Sequence, residues 1–381
     1  MNAKINQEAI EQARSLAANF ATRADQADRE GCLPAEDVAL LKQSGYLGLA
    51  VPEEFGGRGA TLLTCVAAQI ELAKGSASTA LVTAMQHQVV GHQRESRTWR
   101  ADARDRIMAE LVEGGLINHL ASEPRMGSPS RGGLPETTAA LSDDGKSLLL
   151  NGHKTWSTGG RHLTHLLVRA AVGDDKGVVL VRQPEKGVAG LEWIEIWREA
   201  MSLRASDSHD AVFQDVIVPR ENLIEIGEVK SVPNVWFPTL MASIYLGTAI
   251  AARDTLIRFA LERVPTALGK PIATLPKIQR RVGEIDVALM AAKALLFEVA
   301  LSWTGKGGDR AAIMPRIAAA KMAVSAAANE TTEKALQAAG GSGITRALPL
   351  ERYFRDVRAA DMQPPSGDTA YEMVGRAALG L

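Results

Sequence analysis

The chain has 381 residues, 43 basic against 44 acidic for a formal net charge of −1, and 46% of its residues are hydrophobic. That length exceeds the roughly 100–200 residues of one domain, so two or three packed units are expected, with cores large enough to bury a cofactor. Balanced charge without a basic block excludes the electrostatic footprint that a nucleic-acid partner requires, and Cys32 and Cys65 are too few and too far apart for a disulfide framework or a metal motif.

The first seven residues carry no apolar leader, and no run of ~18 uninterrupted apolar residues follows, so a reduced, cytoplasmic protein without a membrane partner is expected. From Gln7 to about Glu113 the pattern is helical: Ala13, Leu16, Ala17 and Phe20 share one face, and a further segment opens at Pro34 and closes at Gly45. The stretch from Tyr46 to Gly59 is a loop punctuated by Gly and Pro. From about Leu116 to Ile226 the texture changes to short β-type runs at 147–150, 166–170, 178–181 and 211–219, separated by turn signals at 143–145 and 173–177. Beyond Pro233 the helical period returns. Ile285, Leu289, Ala292, Leu296, Val299 and Trp303 alternate four and three residues apart, the seam of a helical bundle, and an Ala-rich helix is predicted from Pro315 to Ala339. The fold class is therefore mainly α with a central β domain, with units at 1–117, 118–228 and 229–381.

Two clusters carry chemistry. Ser122-Glu123-Pro124 enters the β domain, and Trp156-Ser157-Thr158-Gly159-Gly160 follows its first clear strand. A flavin needs a flat apolar surface for its ring and a few donors at its polar rim. Trp156 can offer the surface and Thr158 a donor, although singly each also suits core packing or a turn. Together and in this order they resemble the acyl-CoA dehydrogenase superfamily, whose pattern is a TEPxAGSD-like loop, then NGxKxWITNG, then RxSxTxExxFxxVxVP. The third element is matched by Arg204-Ala205-Ser206-Asp207-Ser208 through Val218-Pro219. Val51 to Gly59 is similar to the family's VPEEYGGxG loop. Gln337 to Gly343 and Glu351 to Asp356 are similar to its QxxGG and ERxxRD signatures.

The resemblance implies an N-terminal helical domain, a central β domain and a C-terminal four-helix bundle in a homo-oligomer, with FAD between the last two domains and a neighbouring subunit. It implies oxidation of an acyl-CoA thioester, with electrons passed to a carrier flavoprotein. Carried over by position, Ser122 touches the flavin's pyrimidine edge, Trp156 lies against the ring and Thr158 faces N5. Ser128 sits where acyl-CoA enters. Arg263 reaches the FAD pyrophosphate of the facing subunit, with Gln337 and Gly341 on the other side of that contact; a guanidinium fork suits phosphate because it pairs two oxygens at once.

The departures concern cofactor affinity and the base. Val264 to Lys270 replaces a Lys/Arg-x-Phe-Gly step, and Pro276 stands near the place of a Gln that opens the next helix. Members of the family draw the α-proton with a Glu, either in a YEGT-like loop or on the helix that opens the last domain. Here those places hold Pro364 or Gly367, and Phe237, none of which accepts a proton. Asp368 is the nearest substitute, with helix capping as its other reading, and Glu372 reads as a solvated helix residue. A reduced-flavin monooxygenase on the same fold needs no such base, and His87, His92 and His119 are its conceivable donors. A flavin-binding protein without dehydrogenase activity is the third reading.

Overall fold

The computed structural model describes residues 5–125, 133–227, 232–303 and 309–381. Six helices open the chain: α1 (Gln7–Ala21), α2 (Ala24–Glu30), α3 (Ala35–Gln43), α4 (Leu62–Gly75), α5 (Ala77–Ser96) and α6 (Ala101–Val112). Side chains of Asn6, Thr61 and Ser76 accept from amides three residues on and start α1, α4 and α5. The face predicted for α1 is buried as expected, while α4 is apolar on most sides and α5 buries Thr79, Thr83, Gln86 and His87 beside its apolar residues, both helices lying within the core.

Eight strands follow: β1 (Ile117–Leu120), β2 (Thr138–Leu141), β3 (Ser147–Ser157), β4 (His165–Val172), β5 (Asp175–Arg182), β6 (Leu191–Ile194), β7 (His209–Pro219) and β8 (Leu223–Ile226). Among the described residues they form one sheet in the order β6-β7-β3-β2-β4-β5-β8, with β1 parallel beside β4. The turn predicted at 173–177 is tighter than that range: Val172 pairs with Asp175, so Gly173 and Asp174 alone make the reversal, with Gly173 at φ 61°. Strand β3 runs on past its predicted end at Leu150 to Ser157, antiparallel to β7, with irregularities between Leu150 and Gly152 and between Lys154 and Ser157.

The last unit contains α7 (Trp236–Glu262), α8 (Pro276–Ser302), α9 (Arg310–Ala339), α10 (Leu350–Asp356) and α11 (Gly367–Leu379). Every residue of the predicted seam from Ile285 to Trp303 is buried. Helix α9 starts at Arg310 rather than at Pro315, because Asp309 caps it by accepting from the Ala312 amide at 3.1 Å; Pro315 lies inside. Windows of α7 and α9 are apolar enough to match a membrane span, but 78% and 56% of those windows are buried within the protein, as core helices are. Helix α7 packs against α4, α5 and α9. Gly91 makes the α5 contact possible, since a Cβ there would overlap the Trp236 indole.

Candidate flavin site

The end of β3 is where the sheet stops being regular. After the irregularity beyond Lys154, Trp156 takes φ 56°, a left-handed conformation that costs a non-glycine residue about 1 kcal/mol or more. Its indole is 59% exposed, an unusual position for the largest apolar side chain, while the neighbouring Ser157 and Thr158 are buried. The Thr158 amide donates back to the Trp156 carbonyl at 2.9 Å, closing the turn that holds the indole outward.

The Ser122 loop is tied to the same strand. Thr155 donates its amide to the Ser122 carbonyl at 3.0 Å. One residue after Ser122 and one before Thr155, Glu123 Oε1 and Lys154 Nζ lie 2.7 Å apart, with both side chains almost wholly buried. Glu123 also accepts the amides of Glu136 at 2.7 Å and Thr137 at 3.0 Å. Burial would raise the Glu123 carboxyl, but hydrogen bonds from Lys154, Thr137 and Glu136 outweigh it and hold the group down to about 2. Burial lowers the Lys154 ammonium, and Glu123 opposes that shift. Removing either partner would strand a charge in the interior.

Behind the turn the polar groups are ordered in series. Thr158 Oγ1 lies 2.8 Å from Ser208 Oγ, which lies 2.7 Å from Ser206 Oγ. Asn118 Nδ2 donates to the Thr158 carbonyl at 3.0 Å, and the Gly159 amide to the Ser206 carbonyl at 3.0 Å. Between the serines, Asp207 takes φ 46° and accepts the Leu33 amide at 2.9 Å, joining the N-terminal unit to this corner. His162 and His209 stand 3.6 and 3.7 Å from its oxygens, and burial pushes its carboxyl up to about 6.

The remaining sequence candidates lie elsewhere. Ser128 falls outside the described residues. Arg263 caps the C-terminus of α7 and is exposed; Gln337 is exposed and donates to Glu333 at 3.0 Å; Gly341 is exposed with open space around its Cα. Asp368 is exposed in the first turn of α11, whose N-cap residue is Ser366, so it is not the capping residue. At the two places where the family sets its Glu, Gln363 accepts from the Tyr245 hydroxyl at 2.7 Å beside Pro364, and Phe237 is half-buried with its amide donated to Asn234.

The three histidines separate. His87 is fully buried edge-on to Tyr46, 5.4 Å between centroids, and neither ring nitrogen has a partner, which marks it as a core residue. His119, on β1 three residues before Ser122, is lowered to about 3 by burial and then by Arg169, Lys154 and His92. His92 is lowered to about 4 by burial and then by Arg310. Both are neutral imidazoles at pH 7, each with one unpartnered ring nitrogen. Sequence reasoning missed Asn118, the Glu123–Lys154 pair and the roles of Ser206 and Ser208, although the last two stood in the quoted motif. Among the described residues no group of three His, Cys, Asp or Glu could hold a metal ion.

Comparison with known proteins covers nearly the whole chain. Residues 5–115, 119–216 and 239–377 match the N-terminal, middle and C-terminal domains of acyl-CoA dehydrogenase. The chain is 35% identical over 363 residues to YdbM, an acyl-CoA dehydrogenase family protein of Bacillus subtilis (strain 168), covering 94% of this chain and 93% of that one. Butyryl-CoA dehydrogenase of Megasphaera elsdenii, at 24% identity and covering 100% of both chains, shares the fold with a TM-score of 0.86. A nitrososynthase of Micromonospora carbonacea var. africana superimposes with a TM-score of 0.83 at 25% identity, over 98% of this chain and 96% of that one. The chain belongs to the acyl-CoA dehydrogenase family.

Proposed function

We propose that the chain is an FAD-dependent oxidoreductase that desaturates an acyl-CoA thioester between its α and β carbons and passes the electrons to a carrier flavoprotein. One observation carries this reading: an indole held outward at a strained backbone angle, with a buried hydroxyl two residues on. Strain of that kind persists where the surroundings over-determine it, and a flat ligand stacked on the indole gives the exposed surface a purpose. The residues fit a flavin, which when bound supplies the hydride acceptor.

In this reading Trp156 supports the ring, Thr158 presents its hydroxyl to N5, and Ser122 meets the pyrimidine edge from a loop that Glu123 and Lys154 fix in place. Ser128 lies beside the thioester entrance. Asp368 Oδ takes the α-proton, which the thioester carbonyl acidifies. Arg263, Gln337 and Gly341 hold the dinucleotide half. All three are exposed, and a Cβ at Gly341 would meet open space among the described residues, which suits a site completed by a second copy. The exposed Val287, Met290 and Leu301 of α8 supply apolar surface for a homo-oligomer. Free Cys32 and Cys65 suit a reduced, cytoplasmic setting.

The second reading is a two-component, reduced-flavin monooxygenase, favoured by the neutral His92 and His119 near the Ser122 loop and by the absence of Glu at the two family positions. Anaerobic mixing of the purified, FAD-loaded protein with a panel of CoA esters decides between them. Loss of the yellow colour with one ester supports dehydrogenation. Colour that no thioester removes, with the oxidation of added reduced FMN by oxygen slowed in the protein's presence relative to buffer alone, supports the monooxygenase.

A further inference from the structure

Helix α9 carries two buried polar side chains that the flavin corner does not use. Lys321 and Ser325 are each 1% exposed and stand one turn apart on the same side of the helix. Among the described residues the one contact of Lys321 Nζ is with the Met322 thioether at 3.9 Å, a weak acceptor, and Ser325 Oγ has no partner. An ammonium buried without an oxygen partner is costly; burial lowers it to about 8, and the Asp361 carboxylate opposes the shift. The neighbours of these two residues show what lies above them. Ala318 and Met322 pack against Ala370 of α11, and a Cβ at Gly367 would lie 3.9 Å from the Met322 methyl. Further along the helix, Asn329 Nδ2 donates to Asp361 at 2.8 Å, and Asn329 Oδ1 accepts from Arg358 at 2.7 Å. The chain from Asp361 to Gly367 is thus pinned to α9 at both ends, and Lys321 and Ser325 lie between Ala318 and Asn329. Among the described residues the carbonyls of Met362, Gln363, Pro364 and Pro365 accept no hydrogen bond, so donors without acceptors on the helix lie below acceptors without donors.

We propose that Lys321 is a positioning residue: its ammonium, together with the Ser325 hydroxyl, holds the span 362–366 from beneath by donating to the span's carbonyls across ordered water, and so fixes where Asp368 stands. The catalytic consequence rests on the reading above that this segment faces the thioester. A bridging water reaches over a gap that a side chain cannot close, and it costs little entropy. A charge kept in the interior lowers stability, so its place there is accounted for by a task, and the segment above it has few other anchors. Lys321 acts through the span rather than on the substrate.

The test is hydrogen exchange of the full-length protein, wild type against Lys321→Met, read on peptides covering residues 361–370. The amides of Met362, Gln363 and Ala370 flank the span and are hydrogen-bonded, so they report its hold. Their exchange should rise about tenfold in the variant while the rest of the chain keeps its protection. The urea midpoint should stay level or rise, because a buried charge has been removed. In the wild type, protection of these amides relative to their intrinsic rates should fall as pH rises through about 8 and the ammonium is neutralised, a step that Lys321→Met lacks. Global stability should move the other way: the folded value lies below the ~10.4 of an unfolded lysine, so the unfolded chain binds more protons in that range and wild-type stability rises with pH. Equal exchange at 361–370 in both proteins would overturn the proposal. So would exchange raised over the whole chain with a lower urea midpoint, which marks a packing residue. The wild-type pH step needs no variant, and its absence would overturn the proposal by itself. Bleaching by an active CoA ester should slow about tenfold in Lys321→Met. Wild-type protein that no ester bleaches would instead sink the dehydrogenase reading, and exchange would still decide whether Lys321 holds the span.

Discussion

The corner at the end of β3 and the segment from Asp361 to Asp368 are both short and both bear proposed chemistry, yet they are built in opposite ways. At the corner the polar groups are tied down with Ser157 Oγ as a buried exception: a buried ion pair joins Ser122's loop to the strand, three hydroxyls line up behind Trp156, and Asn118 Nδ2 and the Gly159 amide fix the Thr158 and Ser206 carbonyls. In the other segment Met362 is 78% exposed, Asp368 is exposed, and the Tyr245 hydroxyl bond to Gln363 is one of few anchors. The contrast separates holding a cofactor, which demands preorganisation, from choosing a reaction, which one loop can change.

If the corner is as rigid as its bonds require, its ion pair is the most sensitive point. Lys154→Met leaves the Glu123 carboxylate buried without its cation, and urea unfolding should show a loss of about 3–5 kcal/mol. Lys154→Met with Glu123→Gln should recover part of it, because the Gln carbonyl still accepts an amide that Glu123 holds while no charge is left buried. The pair also sets an acid limb. Glu123 is held down to about 2 when folded against ~4.3 when unfolded, so its stabilisation is complete above the unfolded value and is lost as pH falls toward 2, about 3 kcal/mol in all. Urea midpoints between pH 5 and pH 3 should fall in the wild type, and Glu123→Gln should remove that share of the slope. The smallest stability effect belongs to the open segment: Asp368→Asn should change unfolding by no more than ~0.5 kcal/mol, while slowing thioester-driven bleaching by ~100-fold or more. A stability loss of several kcal/mol there would erase the contrast between the two regions.

Much of the architecture was legible because helices announce themselves locally. The seam from Ile285 to Trp303 was visible as a period, and all six residues are buried. The four-residue strands β1, β2, β6 and β8 are too short to show alternation, and they form only because longer neighbours offer edges. The β-type run in the sequence ends at Leu150, and the residues that follow include Asn151, His153 and Lys154. They stay in the sheet because Lys154 turns inward to a carboxylate 31 residues away, a pairing that no local pattern contains. Pro315 reads as a helix start in the sequence, but the capping side chain at Asp309 decides. At the site, Trp156 and Thr158 stood out by chemistry, whereas Ser206 and Ser208 gain meaning only when Asp207 bends the chain and sets their hydroxyls against Thr158.

The most direct test of the central claim is equilibrium dialysis of FAD against wild type and Trp156→Gly, paired with their unfolding free energies. Glycine relieves the left-handed strain at 156, so stability should stay within ~1 kcal/mol of wild type while FAD affinity falls at least about tenfold. FAD bound equally well by both proteins would contradict the assignment of the exposed indole as the flavin's support.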